Sequence, residues 1–101
     1  MSTKEIVITK NDFLRQFESV INGELITVEY AQQERKIFLT KLKMSEELQE
    51  NGYLDQFLEV LLGDIKDSGN DRVVPTSPEI AKFMRKNRRK YKDLLPVGLN
   101  I

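Results

Sequence analysis

The apolar residues of this chain change their spacing near Ser45, from every second position before it to every third or fourth position after it. That switch restricts the fold more than any other feature, because period two is the signature of strands and a period near 3.6 that of helices. Before Ser45, Phe13, Arg15, Phe17 and Ser19 alternate with Leu14, Gln16, Glu18 and Val20, which predicts a strand with one mainly aromatic face. Asn22-Gly23 follows, a dipeptide that accepts the positive φ angles of a tight hairpin turn. In Glu24 to Tyr30, Ile26, Val28 and Tyr30 share a face. Gln32-Gln33-Glu34-Arg35 is a polar break suited to a second turn, and Ile37, Phe38, Leu39 and Leu42 predict a third strand. A short strand over Ile6 to Ile8 is expected to precede them. Strands joined by such short turns make an antiparallel meander.

Beyond Ser45, Ser45-Glu46-Glu47 has the composition of a helix start or a tight polar turn. Leu54, Phe57, Leu58, Leu61, Leu62 and Ile65 then form one helical stripe, with Asp55, Glu59, Asp64 and Lys66 on the opposite side. Ser68-Gly69-Asn70 ends this helix, Gly69 being suited to a left-handed cap. Arg72-Val73-Val74-Pro75 reads as one more buried strand. Ser77 and Pro78 open a second helix as N-cap and first helical residue, with Ile80, Phe83 and Met84 facing the core. Pro96-Val97-Gly98 begins a loose tail. The expected fold is α+β, a mixed sheet in which an antiparallel meander is followed by helix, strand and helix. The helix between strands implies a right-handed crossover to a parallel neighbour. The 101 residues make one domain, with a core over about residues 12–95 and no repeat, linker or low-complexity segment.

Composition excludes several chemistries. There is no cysteine, hence no disulfide, thiolate nucleophile or cysteine metal site. There is no histidine, the side chain that most often titrates near neutral pH. Sixteen basic residues balance sixteen acidic ones, which argues against wholesale attraction to nucleic acid or anionic lipid. No apolar run approaches the roughly 20 residues of a membrane span, and no apolar signal stretch follows Met1. A cytoplasmic protein without a membrane partner is expected.

Three stretches carry a family resemblance. Ser45 to Gly52 forms a short acidic lead into a loop; Arg72 to Ser77 forms a strand and the turn after it. The most specific is Ile80-Ala81-Lys82-Phe83-Met84-Arg85-Lys86-Asn87, continuing to Tyr91-Lys92-Asp93-Leu94. In this order and spacing, from about Phe13 to Leu95, the chain resembles the small single-domain branch of the GNAT acetyltransferases. The resemblance implies a GNAT-like sheet, acetyl-CoA as co-substrate, and transfer of an acetyl group to an amine without a covalent enzyme intermediate.

The resemblance also places a pyrophosphate site. In the family, a loop of Arg or Gln, two residues, Gly, one residue, then Gly or Ala aims backbone amides at the CoA pyrophosphate, aided by a helix N-terminus. Here the run is Gln49-Glu50-Asn51-Gly52-Tyr53-Leu54. Gln49, Asn51, Gly52, Tyr53 and Leu54 are therefore the candidate cofactor-binding residues. Gln49 and Gly52 match the pattern, Glu50 adds a repulsive carboxylate, and Leu54 replaces a small residue. Read without the resemblance, the same run is a polar loop in which Gly52 relieves backbone strain.

The branch has a His just before this loop and a Cys after the buried strand; by spacing these are Lys41 and Ser77 here. A protonated lysine is a poor base, and a serine needs a neighbouring base to become a nucleophile. Ser77 reads first as a helix N-cap and Lys41 as a solvated charge. Tyr53 and Tyr91 remain as candidate proton donors, and Glu29, Glu34 and Glu47 as candidate bases. The loss of both family residues favours a second function, a catalytically inactive GNAT-fold binding or regulatory module. The basic run Arg85, Lys86, Arg88, Arg89, Lys90 and Lys92 has three readings: a solvated helix face, a contact to CoA phosphates, or a contact to nucleic-acid phosphates. The sequence leaves the oligomeric state open.

Overall fold

The computed structural model describes residues 6–69 and 71–96. The chain runs β1 (Thr9–Asn11), β2 (Gln16–Ile21), β3 (Glu24–Gln33), β4 (Lys36–Lys43), α1 (Glu46–Glu50), α2 (Tyr53–Ser68), β5 (Arg72–Pro75), α3 (Pro78–Lys86) and α4 (Arg88–Tyr91). A 3-10 turn, Lys92–Leu94, follows. The strands form one five-stranded sheet in the order β1-β2-β3-β4-β5, antiparallel up to β4 and parallel between β4 and β5. The switch of period thus corresponds to a mixed sheet in an α+β protein, with α1 and α2 as the crossover from β4 to β5.

Two turns obey local chemistry. Asn22 and Gly23 join β2 to β3 with φ of 52° and 79°. Glu34 and Arg35 join β3 to β4 with φ of 47° and 65°. Paired positive φ values match the twist of the flanking strands, at a steric cost for the three non-glycine residues, least for Asn22. The second turn is tighter than the four-residue break expected, since β3 continues through Gln33. Gln32 is held in the strand region by its side chain, which donates to Asp71 at 2.8 Å.

The first strands lie elsewhere than the alternation implied. Pairing begins at Thr9 rather than at Ile6, and β2 begins at Gln16 rather than near Phe13. Residues 12–15 form the turn between β1 and β2. Asn11 accepts from the Leu14 amide at 3.0 Å, and Arg15 takes a φ of 55°. Phe13, the first residue of the expected aromatic face, is consequently 93% exposed. Phe17, Ser19 and Ile21 do face the core.

A bulge sorts the residues of β4. Tyr30 pairs with Leu39, but Glu29 pairs with Lys41, so Thr40 is the extra residue. Strict alternation from Ile37 and Leu39 would turn Lys41 and Lys43 inward. The bulge resets the phase: Leu42 pairs with Val28 and packs against the core, while Lys41 and Lys43 are exposed. The Thr40 hydroxyl donates to the Glu29 carbonyl at 3.2 Å across this irregularity.

The helices complete a single core. Phe57, Leu58, Leu61, Leu62 and Ile65 of α2 meet Ile26, Val28, Ile37 and Leu39 of the sheet, joined by Ile80, Phe83 and Met84 of α3 and by Tyr91. The expected stripe of α2 is therefore its buried face, with Leu54 at the margin. Gly69 caps α2 in the left-handed conformation, φ 69°; Asn70 lies outside the described residues, as do Val97 and Gly98 of the expected tail. The shortest extent of the molecule, 23 Å, is that of one sheet and one helix layer.

Candidate functional site

The segment from Met44 to Asp55 is built from two helix starts. Ser45 caps α1, its hydroxyl accepting from the Leu48 amide at 3.3 Å. Glu46 and Glu47 occupy the first turn, where carboxylates complement the helix dipole. The acidic run is thereby accounted for locally. Leu48 is buried and fixes α1 against the core. Gly52, φ 86°, then turns the chain into α2. A Cβ at Gly52 would meet no atom within 4 Å, so this glycine is required by its backbone conformation and not by space.

The five predicted cofactor-binding residues fall into two groups. Gln49, Asn51 and Gly52 are engaged with their own surroundings. The Gln49 side chain donates to the Met44 carbonyl at 2.9 Å, the Asn51 side chain donates to the Glu47 carbonyl at 2.9 Å, and the Gly52 amide donates to the Gln49 carbonyl at 3.1 Å. Tyr53 and Leu54 instead open α2. The first backbone bond of that helix runs from the Gln56 amide to the Gly52 carbonyl, 3.4 Å, and no side chain caps its start. The amides of Tyr53, Leu54 and Asp55 are the orphan donors that every helix N-terminus carries. The side chain of Leu54 packs against the core, together with that of Tyr53. Glu50 and Asp55 are exposed carboxylates on either side.

The sheet opens along the second half of β4. β5 pairs with β4 only from Lys36 to Leu39, against Arg72 to Pro75. The amides of Thr76 and Ser77 both close on the Leu39 carbonyl, at 3.1 and 2.9 Å, and the Thr76 hydroxyl donates to it as well, at 3.0 Å. Pro78 then starts α3 and carries the chain away. From Thr40 to Lys43, β4 has no strand partner on that side among the described residues. Sequence reasoning missed this gap, although Pro75 and Pro78 were its signal: neither supplies an amide to continue a ladder.

Lys41 and Ser77 flank the place where the two strands part. Ser77 is buried, 1% exposed, and stands at the N-cap position of α3 as expected. Its hydroxyl does not cap an amide, however; it donates to Glu79 Oε1 at 2.9 Å. The remaining candidates are dispersed. Glu29 sits opposite Lys41 in the sheet, Glu34 lies in the hairpin at the far end of β4, and Glu47 lies in α1. Tyr91 is 1% exposed and packs on Phe83, ring centroids 5.7 Å apart, with no hydrogen-bond partner for its hydroxyl. Burial pushes its pKa up, reinforced by Glu59.

The basic stretch is tied to other parts of the fold. Lys90 pairs with Glu59 at 3.8 Å, its backbone carbonyl accepts from Lys66 at 3.1 Å, and the Asp93 carbonyl accepts from Arg72. Glu59 and Lys66 anchor it to α2, and Arg72 holds the residue that follows it to β5. No group of three metal-ligating side chains occurs among the described residues, and no helix there is long and apolar enough to cross a membrane. Set against known proteins, the chain matches no family, no curated protein and no solved structure.

Proposed function

We propose that this chain is a GNAT-like domain that holds an acyl-CoA and transfers acetyl, slowly, to an amine acceptor. The observation that supports this reading most is the coincidence of two unsatisfied backbone features at one end of β4. The strand edge from Thr40 to Lys43 is released where β5 stops, and the open amides of Tyr53, Leu54 and Asp55 follow one short helix later. A free strand edge suits an extended, amide-bearing arm, and a helix N-terminus suits the phosphates at its end. Acetyl-CoA has both parts. In this reading Tyr53 and Leu54 bind through their amides, whereas Gln49, Asn51 and Gly52 shape the loop.

Transfer is expected to be slow because no activated base stands at the opening. Lys41 is exposed and the Ser77 hydroxyl is committed to Glu79. What remains is positioning and polarisation of the thioester by backbone groups. The same observation favours the second reading, a binding module without turnover, and a transfer assay separates the two.

Titration calorimetry with acetyl-CoA and with free CoA tests the site. Both ligands should bind, and Glu50→Gly should bind more tightly by about 3- to 10-fold, since a carboxylate is removed beside a pyrophosphate. Absence of heat with either ligand, in either protein, would sink the proposal. Binding without acetyl transfer to a panel of polyamines and peptide lysines would select the module.

A further inference from the structure

All the helices cover one face of the sheet, and the other face is left without a layer of its own. Its residues follow from the register. Glu18 of β2, Thr27 of β3 and Lys43 of β4 form one row; Gln16, Glu29 and Lys41 form the next; Ala31, Phe38 and Val74 form a third. At one end, Val7, Val20 and Leu25 line a shallow cleft and are 66%, 66% and 60% exposed. These are the levels of apolar exposure that mark an interaction surface when several occur together.

Charge is arranged across this face rather than scattered. Its acids, Glu18 and Glu29, lie on β2 and β3, and Lys41 and Lys43 lie on β4. The Glu18 carboxylate accepts from Asn11 at 3.2 Å and from Gln16 at 2.5 Å, both neutral amides that orient it without neutralising it. Lys43 is exposed, and the ion pairs of the described residues, Lys10–Asp12 and Lys90–Glu59, leave it out.

We infer that this open face is the docking surface for a second copy of the same chain. A two-fold axis parallel to the strands, lying in the interface above the outer face of β3, brings β2 of one copy over β4 of the other. That operation sets Glu18 against Lys43 of the second copy, twice, and lays Leu25 on Leu25 and the 7% exposed Thr27 on its counterpart; it also brings Glu29 over Glu29, each carboxylate beside its own cross-strand neighbour Lys41. The contact is isologous and closes on itself, as a two-fold interface must. Two sheets packed in this way keep their strands roughly aligned, with the inner side chains as a shared layer. The two longer extents of the molecule, 38 and 31 Å, leave room for the roughly 800 Å² per partner that stable interfaces bury. The inference concerns the outer face alone and does not depend on acyl-CoA binding.

Sedimentation equilibrium of the full chain, from micromolar to about 1 mM, tests it. The wild type should dimerise. Leu25→Lys should raise the dissociation constant by at least about tenfold, because two lysines then meet on the axis beside Val20, without the opposite charge that Lys41 provides beside Glu29. Glu18→Lys and Lys43→Glu should each weaken self-association similarly, and an equimolar mixture of these two variants should recover a dimer as the hetero-pair. Far-UV circular dichroism and a melting curve establish that each variant is folded; should Leu25→Lys fail, Leu25→Ser replaces it. A wild type that remains monomeric to 1 mM overturns the inference. So does a dimer whose affinity is unchanged by both charge reversals.

Discussion

The two faces of the sheet are made by the same strands and have opposite fates. On the inner face Ile26, Val28 and Leu39 are 0% exposed and belong to one core cluster with the residues of the helices. On the outer face Val20 and Leu25 remain mostly in water, and charged residues stand opposite one another across the strands. The difference teaches that alternation defines two faces without saying which is covered. Coverage follows from where the apolar stripes of α2 and α3 are delivered. The bulge at Thr40 is the point where the sorting would fail without a correction, since it turns Lys41 away and returns Leu42 to the core.

The largest break in this contrast should come from the inner face. Ile26→Ala removes a fully buried side chain and should destabilise the chain by about 2–5 kcal/mol, the usual range for such cavities. Chemical denaturation at constant slope checks it. A loss of under about 0.5 kcal/mol would mean that the helix layer does not press on β3.

An intermediate effect is expected at the margin of the inner face, where Tyr30 reaches out to Asp12. Its hydroxyl donates to Asp12 Oδ1 at 2.7 Å and its ring packs at a tilt against Phe17, centroids 5.0 Å apart. Burial, followed by the hydrogen bond to Asp12 and the charge of that residue, pushes the Tyr30 pKa from 10.0 up to about 12, against a smaller opposing effect of Arg15. The folded state therefore holds this proton more tightly than the unfolded state does. The resulting stability is fully present below pH 10 and is lost as the pH rises from 10 to 12. Tyr30→Phe should cost about 1 kcal/mol at neutral pH. It should also flatten the decline of stability between pH 10 and 12 relative to the wild type; equal slopes would show that Tyr30 does not couple to folding.

The smallest effect belongs to the outer face. Val20→Thr keeps the β-branched shape at a position 66% exposed. It should change the stability of the dilute chain by no more than about 0.5 kcal/mol. A loss of several kcal/mol at low concentration would show that the outer face is covered within the chain itself.

Much was legible in the sequence because it rests on local rules. The element order, the stripe from Phe57 to Ile65, the Asn22-Gly23 turn, the Gly69 cap and the position of Ser77 before Pro78 follow from side-chain period and backbone preference, and the structure has each of them. Ser45, Glu46 and Glu47 left a helix start and a tight polar turn both open, and the structure has the helix start. The loop from Gln49 to Leu54 was legible as a segment but not in its roles. That Gln49 and Asn51 turn back onto α1, and that Leu54 points into the core, depends on where α1 docks.

Only the tertiary structure could decide the rest. Phe13 alternates correctly with Phe17, yet Asn11 and Arg15 make a turn of residues 12–15 and leave Phe13 in solvent. The bulge at Thr40 depends on which residue of β3 lies opposite, a pairing between residues distant in sequence. The release of β4 beyond Leu39 depends on where β5 ends beside it. The sequence by itself determined the elements and their apolar faces, because those are set by neighbours within a few residues. Register, coverage and the opening at β4 are set by contacts between strands and helices far apart in the chain, whose free energies no local pattern records.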